Sequence, residues 1–148
     1  MAITMSIDLA SLNGSNGFRL DGEAVRDYSG ESVSNAGDVN GDGFDDVIVG
    51  ALGADPNGDY SGSSYVVFGK ASGFDAAINL SGLDGSNGFR LDGENGLSGS
   101  SVSNAGDVNG DGFDDVIVGA PFAGFNKVFP PGSSYVVFGK ASGFSATM

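Results

Sequence analysis

Residues Gly37–Ala51 read GDVNGDGFDDVIVGA, and Gly106–Ala120 repeat them letter for letter. Asp38–Asp46 crowds four aspartates and one asparagine into nine residues, and the apolar run Val47-Ile48-Val49 follows at once. A short Val/Ile run bounded by Asp and Gly reads as a buried β-strand. Like charge at the mouth of a core strand is costly unless something compensates it. This chain places it there twice.

Two flanking blocks recur with it. GSNGFRLDGE at Gly14–Glu23 returns at Gly85–Glu94, and GSSYVVFGKASGF at Gly62–Phe74 returns at Gly132–Phe144. The repeat unit is therefore about 70 residues long. Its β-branched and aromatic runs, bounded by Gly, Asn, Asp and Ser, predict strands at Ser32–Asn35, Asp46–Val49, Ser64–Phe68 and Gly88–Asp92 in the first unit. The second unit offers Ser101–Asn104, Asp115–Val118 and Ser134–Phe138, and a lone GFRLDG at Gly17–Gly22 opens the chain. Four short strands per repeat are the pattern of a β-propeller blade. The predicted class is all-β: blades of four antiparallel strands, two blades per chain. Blade 1 is expected over 31–94 and blade 2 over 100–144 without its own fourth strand, with 17–23 an orphan fourth strand.

Composition agrees and removes several chemistries. There are 27 glycines in 148 residues, with 11 Phe and 4 Tyr, a turn-rich but strongly β-forming mixture. A net charge of −13 disfavours nucleic acid and anionic membranes and favours cations. Neither Cys nor His occurs, which removes disulfides, thiolate or imidazole metal sites and Ser-His-Asp catalysis. No run reaches the ~20 apolar residues of a membrane span, and MAITMSIDLA lacks the basic start and apolar stretch of a signal peptide. For a secreted protein the signal is expected outside this chain.

The acidic loop presents Asp38, Asn40, Asp42 and Asp46 at positions 1, 3, 5 and 9, with Phe44 at position 7 able to offer its carbonyl. Asp107, Asn109, Asp111, Phe113 and Asp115 are the copy. Alternate side chains can wrap one ion while Gly41 and Gly43 permit the tight turn. An all-oxygen donor set on an adaptable loop suits Ca2+ better than Mg2+. An EF-hand is excluded, because its twelfth-position Glu is replaced by Val49 and Val118. The competing reading is a solvated Asn/Asp/Gly turn; two complete copies, each with a carboxylate at position 9, favour the ion. Asp45 and Asp114 are expected outside the ligand set, since their neighbours already fill position 9.

DVNGDGFDDVIVGA with YVVFG resembles the FG-GAP repeat of integrin α-subunit propellers and bacterial surface proteins. Phe68-Gly69 and Phe138-Gly139 match its FG, and Gly119-Ala120-Pro121 its GAP, whereas the first copy has Gly50-Ala51-Leu52. The resemblance implies a Ca2+ loop between blade strands 1 and 2, about two ions per chain. Its ligands are Asp38, Asn40, Asp42 and Asp46, and Asp107, Asn109, Asp111 and Asp115, with Phe44 and Phe113 as carbonyl donors only.

Two blades do not close a propeller of four to eight. The orphan strand is expected to complete a blade of a neighbouring molecule, giving a head-to-tail homo-oligomer, a ring of three or four chains or a fibre. Between the copies, loop 1–2 is identical, while loop 4–1 (24–31 against 95–100) and loop 2–3 (52–61 against 121–131) differ, all on one face. Tyr60, Phe122, Phe125 and Phe129 are the candidate ligand contacts there, against the plainer reading that they pack on the adjacent blade. The function expected is a calcium-binding structural or adhesive module, extracellular or at the cell surface. The alternative is a protein- or glycan-binding module using the variable face. No catalytic residue is assigned and an enzyme is not expected, because the carboxylates are committed to the ion.

Overall fold

The computed structural model describes residues 6–124 and 130–148. Nine strands occur in chain order: β1 (Arg19–Asp21), β2 (Ser32–Gly37), β3 (Asp46–Ala51), β4 (Ser63–Val67), β5 (Ala77–Asn79), β6 (Gly88–Asp92), β7 (Ser101–Gly106), β8 (Asp115–Ala120) and β9 (Ser133–Val137). Single 3-10 turns at Leu9–Ser11 and Leu80–Gly82 are the helical content of the described residues.

The first repeat folds as an antiparallel sheet in the order β2-β3-β4-β6, and the second as β7-β8-β9. These are blade sheets of the predicted kind. Their registers match residue for residue: Val49 faces Tyr65 in one and Val118 faces Tyr135 in the other. Both first strands run two residues beyond their predicted ends because a bulge lets them bend into the acidic loop. Gly37 sits at that bulge with φ +74, and a Cβ there would collide with the Asp114 carboxylate, so both conformation and space require glycine.

One pairing was not anticipated from the sequence. β1 pairs in parallel with β5, Arg19 opposite Ala77, in a two-stranded ribbon separate from both blade sheets. The arrangement recurs at the end of the chain, where Arg90 of β6 bridges Thr147 in parallel. The three residues of β5 carry too little alternation to read as a strand. Their pairing comes from position, directly after the repeat's conserved-length turn Gly69–Phe74 and beside an edge that offers free N–H and C=O groups.

The apolar residues form two cores. Ile48, Val66 and Phe89 of the first sheet, with Val39 of the acidic loop and Phe68 just after β4, pack against Val102, Val116 and Val118 of the second. On the other side of the first sheet, Val49, Tyr65, Val67, Leu80 and Leu83 form a second cluster with Leu20 and Ile78 of the β1–β5 ribbon against it. β4 is thus buried along its whole length, whereas β9, identical in sequence, is largely exposed.

Candidate functional site

The acidic loop lies between β2 and β3, and its copy between β7 and β8, so in each repeat a hairpin of two core strands holds its ends. In the first loop Asp38 accepts from the N–H of Asp42 (3.0 Å) and of Gly43 (2.9 Å). Asn40 Oδ1 also accepts from Asp42 N–H (2.9 Å), and Asp42 Oδ1 from Phe44 N–H (2.9 Å). The second loop repeats these bonds through Asp107, Asn109 and Asp111. Gly41 has φ +73 and Gly110 φ +78, the left-handed turn that aims the alternate side chains inward.

Asp46 closes the loop from below. It is fully buried at the start of β3, and its two oxygens accept from Val39 N–H (3.0 Å) and Gly69 N–H (2.8 Å). Asp115 is equally buried and accepts from Val108 N–H (2.8 Å) and Gly139 N–H (3.0 Å). Each carboxylate therefore ties the acidic loop to the Phe-Gly turn that follows strand 3 of its blade. Among the described residues neither is paired with Lys or Arg. Burial pushes the Asp46 carboxyl up to about 6; the Gly69 and Val39 amides pull it down, and the charges of Asp42 and Asp38 push it up further.

The loops suit a hard cation in donor chemistry. Every candidate side chain brings oxygen, and carboxylate oxygens that accept one amide proton keep a second lone-pair site. Among the described residues the buried carboxyls of Asp46 and Asp115 have no basic partner, the condition a bound divalent ion relieves. The side chains of Asp38, Asn40 and Asp42 fold back onto the loop's own amides, and among the described residues no three carboxylates converge on one point. Phe44 and Phe113, named only for their carbonyls, donate their N–H groups to Asp42 and Asp111.

Asp114 has a role that sequence reading missed. Its Oδ2 accepts from the N–H of Asp38, in the other repeat, at 2.9 Å, and its own N–H donates to the Asp38 carbonyl (3.2 Å). Lys140 N–H reaches the Val39 carbonyl (3.0 Å), and Val102 N–H reaches Ser32 Oγ (3.0 Å). The second repeat thereby grips the first acidic loop. The signal was present in the sequence as a carboxylate at position 8 of both copies, left over once position 9 had been assigned.

The variable loops also come together. Leu97 N–H donates to the Tyr60 carbonyl (3.0 Å) and Phe122 N–H to the Gly96 carbonyl (3.1 Å), so both 2–3 loops dock on the one 4–1 loop between them. Tyr60 and Phe122 are exposed there. Phe125 and Phe129 lie outside the described residues.

A family model for the FG-GAP repeat matches residues 29–67 and 98–137. Integrin alpha-PS5 of Drosophila melanogaster is 42% identical over 109 residues, 73% of this chain and 10% of the relative. Integrin alpha-6 of Gallus gallus is 36% identical over 113 residues, 74% of this chain and 10% of the relative. Integrin alpha-V of Gallus gallus is 31% identical over 139 residues, 90% of this chain and 12% of the relative. The chain spans about a tenth of the length of these relatives. No helix of the described residues is long and apolar enough to cross a membrane.

Proposed function

The chain belongs to the FG-GAP repeat family, and from that premise we propose that it is a calcium-clasped propeller module of an adhesive protein, extracellular or at the cell surface. The adhesive role and the location come to it from the integrin alpha relatives. The calcium comes from its own residues. Asp38, Asn40, Asp42 and Asp46 hold one ion with the Phe44 carbonyl, and Asp107, Asn109, Asp111 and Asp115 hold the other with that of Phe113.

The observation that carries this reading is the pair of fully buried carboxylates, Asp46 and Asp115, that have no basic partner among the described residues. A bound divalent ion supplies the missing charge and cross-braces strands 1, 2 and 3 of each blade at one end. Two ions bring the formal charge from −13 to −9, each adding two positive charges. The role is structural: the ion holds a scaffold and performs no chemistry on a substrate.

Isothermal titration with Ca2+ against the calcium-stripped protein tests this. Two sites per chain are expected, with Mg2+ binding more weakly. A flat titration, with melting unchanged by chelator, returns the loops to ordinary turns.

A second reading is favoured by the meeting of the diversified loops. Tyr60 and Phe122 flank the Glu94–Leu97 loop on the face away from the ion sites, where a protein or glycan ligand would find a surface that differs between repeats. A glycan array and a pull-down, each repeated with Tyr60→Ala and Phe122→Ala, test it. The module itself we read as two blades, 31–94 and 100–144, with 17–23 supplying a strand to a neighbouring copy in a ring or fibre.

A further inference from the structure

We propose that two copies of this chain join head to tail through a core divided between their ends, with β1 of one copy pairing antiparallel to β9 of the other. The inference rests on the propeller reading above and gives its contact a register and a set of residues.

The join inside the molecule supplies the template. Each repeat has the same sequence at the positions that matter, yet their surroundings differ in one consistent way. Phe68 is 7% exposed and its equivalent Phe138 52%; Val39 is 1% exposed and Val108 59%. In these pairs the second repeat is the bare one. For the face turned toward a preceding blade the order reverses: Val102 is 8% exposed and Val33 65%. The second repeat therefore has an uncovered trailing face, and the first an uncovered leading face. Together they are the two halves of the interface that is already closed between the repeats.

The aromatic rings make the division explicit. Inside the molecule Phe89 stacks on Phe144 (4.6 Å between centroids, 8° between planes), and Phe68 meets both edge-on, at 5.9 and 5.3 Å. At the leading end Phe18 stacks on Phe74 with the same geometry, 4.5 Å and 8°. Among the described residues this pair has no third ring, and at the trailing end Phe138 has no ring partner. The Phe18–Phe74 stack of one copy and Phe138 of the next complete a second three-ring cluster.

The strand edges agree. β4 is covered by β6, with Ser64 opposite Leu91 and Tyr65 opposite Arg90. β9 has the sequence of β4 but no strand on that edge among the described residues, and β1 lies in the block GSNGFRLDGE shared with β6. Among the described residues β1 is paired on one edge, by β5, as β6 is bridged on its outer edge by Thr147. The free edge of β1 is thus the one that β6 gives to β4. Transferring the register sets Leu20 opposite Ser134 and Arg19 opposite Tyr135. A cleft of about 480 Å³ lined by Phe18, Leu20, Val33, Val47 and Val49 separates β1 from the first sheet. The trailing sheet of the other copy fills it with Val108, Val136 and Phe138. Asp45, whose equivalent Asp114 grips the Asp38 N–H, then reaches the Asp107 N–H of the other copy.

An interface with different surfaces on its two sides propagates until it closes. A propeller of four, six or eight blades closes with two, three or four chains.

The full chain, natively free of cysteine, allows a direct test. Ser134→Cys and Leu20→Cys proteins are mixed and oxidised, with Ser134→Cys mixed with Arg19→Cys as the off-register control, since neighbouring strand residues face opposite ways. Light scattering is run alongside, in Ca2+ and in chelator. The expected results are a mixed disulfide for Ser134 with Leu20 well above the control, and a mass that is a discrete multiple of 14.7 kDa. Phe138→Asp is expected to weaken association at least tenfold while circular dichroism stays β-rich. A 14.7 kDa species at high concentration overturns the inference, as does cross-linking no better in register than out. A monomer that still gains melting temperature from Ca2+ sinks this inference and leaves the calcium reading standing. A multimer indifferent to Ca2+ does the reverse.

Discussion

The Asp114 carboxylate accepts a hydrogen bond from the main-chain N–H of Asp38 at 2.9 Å, so the second repeat caps the first residue of the first repeat's acidic loop. Among the described residues its sequence equivalent Asp45 caps nothing outside its own blade and accepts a hydrogen bond from Asn35 Nδ2 at 3.3 Å. Hydrogen bonds to a charged acceptor contribute about 1.5–3 kcal/mol. Asp114→Ala should therefore lower unfolding free energy by roughly 2 kcal/mol, while Asp45→Ala in dilute protein stays within about 0.5 kcal/mol. Urea titrations of the two variants check this. Equal losses would mean that the contact between repeats carries no special weight.

Calcium should dominate the protein's stability. Extracellular calcium modules bind at about 10⁻⁴–10⁻³ M. At about 2 mM Ca2+ and a Kd of ~0.1 mM, each site adds roughly 1.8 kcal/mol. Chelation should lower the melting temperature by several degrees, and Asp42→Ala or Asp111→Ala should each remove one site from a calorimetric titration. Loss of both sites from a single substitution would show that the loops are coupled through Asp114.

The blade strands and both loops were legible because their signals are local. Val47-Ile48-Val49 and Ser64–Phe68 announce themselves by β-branched and aromatic content, and the acidic loop by its alternation of donors. β5 was not legible, because Ala77–Asn79 pairs by virtue of where the chain runs after the Phe-Gly turn. Asp114 was set aside for a related reason: its partner lies 76 residues away, and spacing within a loop says nothing about a neighbour in the next repeat. The same holds for exposure. Identical sequences give a buried β4 and a bare β9, a difference that belongs to position in the array.

The pH dependence should reverse with calcium. Without the ion, burial raises the Asp46 carboxyl from the ordinary aspartate value of 3.8 to about 6. The folded state then holds a proton that the unfolded chain has lost across that interval. This group's contribution is fully present below about pH 4 and is lost as pH rises through 6, a change of up to ~3 kcal/mol. Calcium-free protein should melt higher near pH 4.5 than at pH 7, and Asp46→Asn should flatten the slope. With saturating Ca2+ protons compete with the ion, and melting should instead fall on acidification. Melting curves in both buffers decide it; a wild-type slope in Asp46→Asn assigns the dependence to other carboxylates.

Phe68 and Phe138 occupy the same place in the repeat, yet only Phe68 is enclosed, by Phe89 and Phe144. Removing a buried phenylalanine costs about 3–5 kcal/mol, from lost transfer energy and the cavity left behind. Phe68→Ala should cost that much at any protein concentration. In dilute protein, where Phe138 meets mostly solvent, Phe138→Ala should cost no more than ~1 kcal/mol, because little apolar area returns to water. If copies stack head to tail, the second penalty must grow with concentration toward the first, since association buries the ring that the single chain leaves bare. Urea unfolding of both variants at low and high micromolar protein measures the convergence. A Phe138→Ala penalty that is small and independent of concentration would leave that face solvent-exposed in the native assembly.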